Sequence, residues 1–185
     1  DEVVEHLEGS RKAADGLMVE LRRDPRAALA LDGIFLVEIG RVTGGAEYTG
    51  AALGVHYARR HTRGWSDGAS AAASFHAAAG CGLGESARDR NLAVWRGLDD
   101  VELARLVGEH RFAEEMGRAL VKGLEFDPGA PAGTLVAARA AEVLEGLPGN
   151  PMSGRVTEWL GRLRAAQVSP GVVTGDRDGQ GVYTQ

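Results

Sequence analysis

Cysteine occurs once in the 185-residue chain, and aromatic residues make up only 5% of it. The lone Cys81 rules out an intramolecular disulfide and a Cys-rich zinc site, so folding has to rest on core packing. So few aromatics argue against a nucleic-acid stacking platform and against the aromatic-rich core of most β-sandwiches. Lysine is nearly missing: only Lys12 and Lys122 break the arginine monopoly among 21 basic residues, and 26 acidic residues leave a net charge of −5. That balance lacks the electropositive footprint that phosphodiester backbones require, and no nucleic-acid partner is expected. No long hydrophobic run is present either. The most apolar stretch, Ala27 to Val42, is interrupted by Asp32, Glu38 and Arg41 and is too short to span a bilayer. No signal-peptide pattern precedes the first helix, and a reduced, cytoplasmic setting is the expectation.

What is present is helical periodicity. A hydrophobic content of 44% with 25% charge is ordinary for a globular chain. Val3, Val4, Leu7, Ala14, Leu17, Met18 and Leu21 recur at three- and four-residue steps, the stripe of a first helix ending near Arg23. Asp24-Pro25 has the cap-plus-proline signature and is read as opening an apolar second helix that Gly44-Gly45 closes. A third helix is expected from Ala46 to Arg63 and a fourth from Ser70 to Ala79. Gly80, Gly82 and Gly84 predict a loop. A short helix from Glu85 to Trp95 follows, and Asp99 with Glu102 resembles a capping box opening another. Its apolar face, Leu103 through His110 to Leu124, is read as continuous for six turns. Asp127-Pro128 through Pro131 predicts a loop, Leu135 to Leu147 a helix, and Asn150-Pro151 the start of a last one. The fold class is therefore all-α: a compact single-domain bundle of about seven or eight helices over 1–167, with an extended Gly/Asp-rich tail over 168–185. The strand-helix alternation of a nucleotide-binding α/β sheet is missing.

No chemical motif is complete. Gly80-Cys81-Gly82-Leu83-Gly84 does not match a phosphate loop or a nucleophile elbow, and Cys81 is read as a small buried residue rather than a thiolate activated by His56, His61 or His76. Neither Glu-x-x-His pairs nor His-Glu-x-x-His occurs, and His110 is expected as a core or groove histidine. The step from Ala104 to Gly108 suits a helix-turn-helix, but Glu114 and Gly117 stand where that motif buries apolar residues. Trp95-Arg96-Gly97 resembles the Trp-x-Gly turn of small helical-hairpin proteins exported by type VII secretion systems, a bacterial setting that the Ala-, Gly- and Arg-rich composition suits. Their Tyr-x-x-x-Asp/Glu signal is not supplied, because Ala52 follows Tyr48 and His61 follows Tyr57. Three residues of likeness assign no family.

Two constellations remain. Asp32, Glu38 and Arg41 in an apolar helix, facing Glu47, Tyr48, His56, Tyr57, Arg59, Arg60 and His61 on the next, could line a polar cleft for a small anionic ligand. Alternatively, Glu38 and Arg41 are a buried structural ion pair. In the tail, Asp176, Asp178 and Gln180 stand at the first three donor positions of a calcium loop, which ends before the bidentate Glu such a loop needs; a solvated turn is the favoured account. No other cofactor is called for. The expected function is a non-catalytic helical protein-interaction or regulatory module, partnered by another protein or a second copy of itself. The alternative is a ligand-binding or enzymatic bundle using the cleft.

Overall fold

The computed structural model describes residues 2–80, 87–123 and 133–151, together with positions 154, 157, 158 and 161 and the segments 167–169, 172–174 and 183–184. The fold is all-α, with seven α-helices among the described residues: α1 (Glu2–Arg23), α2 (Gly33–Thr43), α3 (Ala46–Arg63), α4 (Gly68–Gly80), α5 (Ala87–Leu106), α6 (His110–Gly123) and α7 (Gly133–Glu145). Three short antiparallel strands, β1 (Gln167–Ser169), β2 (Val172–Thr174) and β3 (Tyr183–Thr184), are the tail's only described structure. Cys81, the loops expected at Gly82 to Gly84 and at Asp127 to Pro131, most of the helix expected after Asn150, and the tail residues Asp176, Asp178 and Gln180 lie outside the described residues.

The chain gathers into two compact units. The first takes residues 1–66 and 102–110. Its core joins Ala14 and Met18 of α1, Leu36, Val37 and Ile39 of α2, Tyr48, Ala52 and Val55 of α3, and Leu103 from the last turn of α5. Leu36 is fully buried and Leu103 nearly so, each contributing about 1.5–3 kcal/mol by transfer from water. Gly33 permits that packing, since a Cβ there would lie 2.7 Å from Leu103 Cδ2. The second unit takes residues 67–101 and 111–185. In it α4 begins against α6: a Cβ on Gly68 would stand 2.5 Å from Met116 N and closer still to the Phe112 carbonyl oxygen. Gly97 of α5 faces Leu120, and Gly117 of α6 admits Leu144 and Leu147.

Three local expectations are corrected. Asp24-Pro25 opens only a 3-10 turn, Pro25–Leu29, while α2 starts eight residues later with Asp32 as its N-cap, its carboxylate accepting the Phe35 amide at 3.0 Å. Asp32 is thus a cap, not a charge inside an apolar helix. Second, α5 runs unbroken through Trp95-Arg96-Gly97 and past Asp99, so neither a Trp-x-Gly turn nor a capping-box start exists there. Asp99 instead accepts from Arg139 of α7 at 3.2 Å. Third, the six-turn stripe is broken at Val107–Glu109. Gly108 adopts φ +90°, its amide donates to the Arg105 carbonyl and that of Glu109 to Ala104, the two bonds of a Schellman stop. His110 consequently begins α6 exposed, not as a core histidine.

Candidate functional site

Among the described residues, helix α3 carries Glu47, Tyr48, His56, Tyr57, Arg59, Arg60, His61 and Arg63, and its C-terminal end concentrates the cations. Arg60, His61 and Arg63 occupy its last turn, where positive charge complements the helix dipole. Gly64, at φ 66°, ends the helix with the Gly64 amide on the His61 carbonyl and the Trp65 amide on that of Arg60. Trp65 is buried beneath the Arg63 guanidinium, 4.7 Å from the ring centroid.

These groups end on the fold itself. Arg59 donates from Nε to the Ala28 carbonyl at 2.7 Å and from Nη2 to that of Leu31 at 2.5 Å. Those oxygens close the 3-10 turn and the bend before α2, where helical bonding runs out. Arg60 donates from Nη2 to the Ser66 carbonyl at 2.9 Å, and its Nη1 lies 3.6 Å from Glu109 Oε2. The Tyr57 hydroxyl donates to Glu109 Oε1, with the Arg60 guanidinium 5.9 Å from the Tyr57 ring centroid. Donation to Glu109, then burial, holds the Tyr57 phenol above its ordinary pKa of 10.0, only partly offset by Arg60. A phenol moved further from neutrality is a poorer proton acceptor at pH 7.

The sequence-derived cleft residues do not converge on one point. Glu38 and Arg41 form an ion pair at 2.8 Å, but both side chains are more than half exposed, so the buried-pair expectation is corrected. They lie three residues apart on an exposed face of α2, where solvent screens them. Tyr48 is buried, and its hydroxyl donates to Asp15 of α1 at 2.9 Å. Glu47 is exposed; the Arg11 guanidinium is held above its ordinary value by its hydrogen bond with Tyr48 first, and then by the charges of Asp15 and Glu47. His56 is buried at 3% exposure beside the Tyr57 ring, and His61 is exposed. Arg60 joins a cluster with Tyr57 and Glu109, and Tyr48 one with Asp15 and Arg11.

Asp15 and Glu109, which partner Tyr48, Tyr57 and Arg60, are not among the residues that the sequence singles out. In the run Arg59-Arg60-His61 nothing local tells that Arg59 reaches the Ala28 and Leu31 carbonyls while Arg60 reaches Ser66 and Glu109. Glu109 is 52 residues from its Tyr57 partner, a separation that no spacing rule spans. Only the glycine at 108 signalled that the chain turns there. No group of three or more His, Cys, Asp or Glu able to hold a metal occurs among the described residues. Nor is any helix of the described residues long and apolar enough to cross a membrane. No protein-family model, curated protein or solved structure matches the chain.

Proposed function

We propose that this chain is a non-catalytic helical module that acts by binding another protein. The observation that supports the reading is how the polar side chains of α3 are used. Arg59 caps carbonyls, Tyr48 ties α3 to α1, and Tyr57 and Arg60 hold Glu109. Tyr48, Tyr57, Arg59 and Arg60 each meet an acceptor supplied by the fold, whereas a ligand site keeps convergent polar groups for its ligand. Catalysis further needs a nucleophile or acid-base pair tuned toward neutral pH, and the Tyr57 phenol is moved the other way.

Thermal-shift measurements test this. A small ligand at 100 times its Kd adds about 2.7 kcal/mol, which for a chain of this size raises the midpoint by roughly 5 to 10 °C. Divalent metals including calcium, nucleotides and anionic metabolites are expected to leave the midpoint unchanged, while a purified protein partner raises it. A rise with one of the small anions that is abolished in Arg60→Met or His61→Ala would replace this reading with that of a ligand-binding bundle. Calcium-dependent stabilisation lost in Asp176→Ala and Asp178→Ala would assign the tail a metal site.

A further inference from the structure

The turn at Val107–Glu109 is short, and the apolar spacing of the sequence runs straight through it. Leu103, Leu106 and Val107 before the break, and Ala113, Met116, Gly117, Leu120 and Val121 after it, fall on one broad helical face, as if α5 and α6 were a single helix. Within the turn it is Gly108 that opposes a helix, although Glu109 and the exposed His110 also fall on this face. Val107 and Glu109 are ordinary helix residues, whereas Gly108 takes φ +90°, a conformation open to glycine and costly for residues with a Cβ. The Gly44-Gly45 turn differs: two adjacent glycines oppose a helix there. What holds the bent form beyond Gly108 is Glu109, through Tyr57 and Arg60 of α3.

We propose that Val107–Glu109 is a hinge at which two copies of this chain exchange α6 and α7. Straightened, α5 and α6 form one continuous helix, and α6 and α7 of each copy pack on α4 and α5 of the other. The contacts of α6 and α7 with α4 and α5 are then rebuilt between copies: Gly68 against α6, Gly97 against Leu120, and Arg139 of α7 on Asp99 of α5. Because those contacts cancel, the balance between one chain and an exchanged pair is left to the hinge and to the protein concentration. Gly108 and the Glu109 bonds are thus what favour the single chain.

The inference is independent of the proposed binding function. Gly108→Ala penalises the bent form and favours the helical one, by roughly tenfold per hinge and about a hundredfold for the two hinges of a pair. Light scattering after size exclusion should show dimerisation tightened by that factor. Gly108→Asn, which tolerates the left-handed conformation, should stay near the parent.

Exchange is distinguished from surface pairing by cross-linking. Asp99→Cys chains are mixed with Arg139→Cys chains, both carrying Cys81→Ser and the parental hinge. The mixture is partly unfolded, refolded at high protein concentration and treated with a short bis-maleimide. Covalent dimers joined between positions 99 and 139 of different chains are expected, and more of them when Gly108→Ala is added. Dimers without that cross-link, absence of dimers, or a folded Gly108→Ala protein with unchanged self-association would overturn the proposal.

Discussion

At the scale of single residues, the ionic groups separate by what surrounds them rather than by their type. Glu38 and Arg41 read as buried in the sequence because their neighbours are Phe35, Leu36, Val37 and Ile39, yet both point to water. An exposed pair three residues apart is worth about 0.3–0.5 kcal/mol, against 3–5 for breaking a buried one. Glu38→Gln and Arg41→Gln should therefore each move the unfolding free energy by no more than about 0.5 kcal/mol, with little coupling in a double-mutant cycle. A loss near 3 kcal/mol in urea denaturation would show the pair to be buried after all. Tyr57 has a pH signature of its own. Its phenol keeps its proton to higher pH in the folded chain than in the unfolded one. The stability from that shift is present below about pH 10, the ordinary phenol value, and is lost as pH rises through the folded pKa. Ultraviolet titration should accordingly show one tyrosine ionising late, and Tyr57→Phe should remove it; an unchanged late transition in that variant would contradict the assignment.

At the scale of elements, boundaries were legible wherever the stop or start lay in the residues themselves. The end of α1 at Arg23, the whole span of α3 and most of α7 follow from apolar spacing and from glycines that close helices. The second helix was misplaced because Asp24-Pro25 and Asp32 are both good caps. The choice between them involves Arg59, 28 residues past Leu31, which satisfies the carbonyls of the intervening bend. Asp99 misled for a related reason: within a helix its carboxylate has no free amide to cap, and it turns to Arg139. Glycines show the same split between local and distant causes. Gly50 of α3 has nothing within 4 Å of its missing Cβ, whereas Gly68 has the backbone of α6 there. Gly50→Ala should raise stability by about 0.5–1 kcal/mol, and Gly68→Ala should lower it by about 1–3 kcal/mol through overpacking. Equal effects in chemical denaturation would mean that α4 does not approach α6 so closely.

At the scale of the whole molecule, the all-α class could be read from periodicity, but the use of the polar residues could not. A cleft was a reasonable expectation for Glu38, Arg41, Glu47, Tyr48, His56, Arg60 and His61, because helix spacing places them on neighbouring elements. Which of them turn inward depends on partners far along the chain, such as Asp15 for Tyr48 and Glu109 for Arg60. Tyr48, Tyr57, Arg59 and Arg60 of α3 hold the fold together instead of awaiting a ligand. Groups that await a ligand are incompletely paired in the free protein, and replacing them is neutral or stabilising. Groups bonded within the fold leave acceptors stranded when removed. Equilibrium urea unfolding of Arg59→Met and Arg60→Met, each compared with the parent chain, separates the two most directly. The account predicts a lower unfolding free energy for both, by about 2–3 kcal/mol for Arg59 with its two carbonyls and about 1 kcal/mol for the more exposed Arg60. Midpoints that stay level or rise in both variants would contradict it.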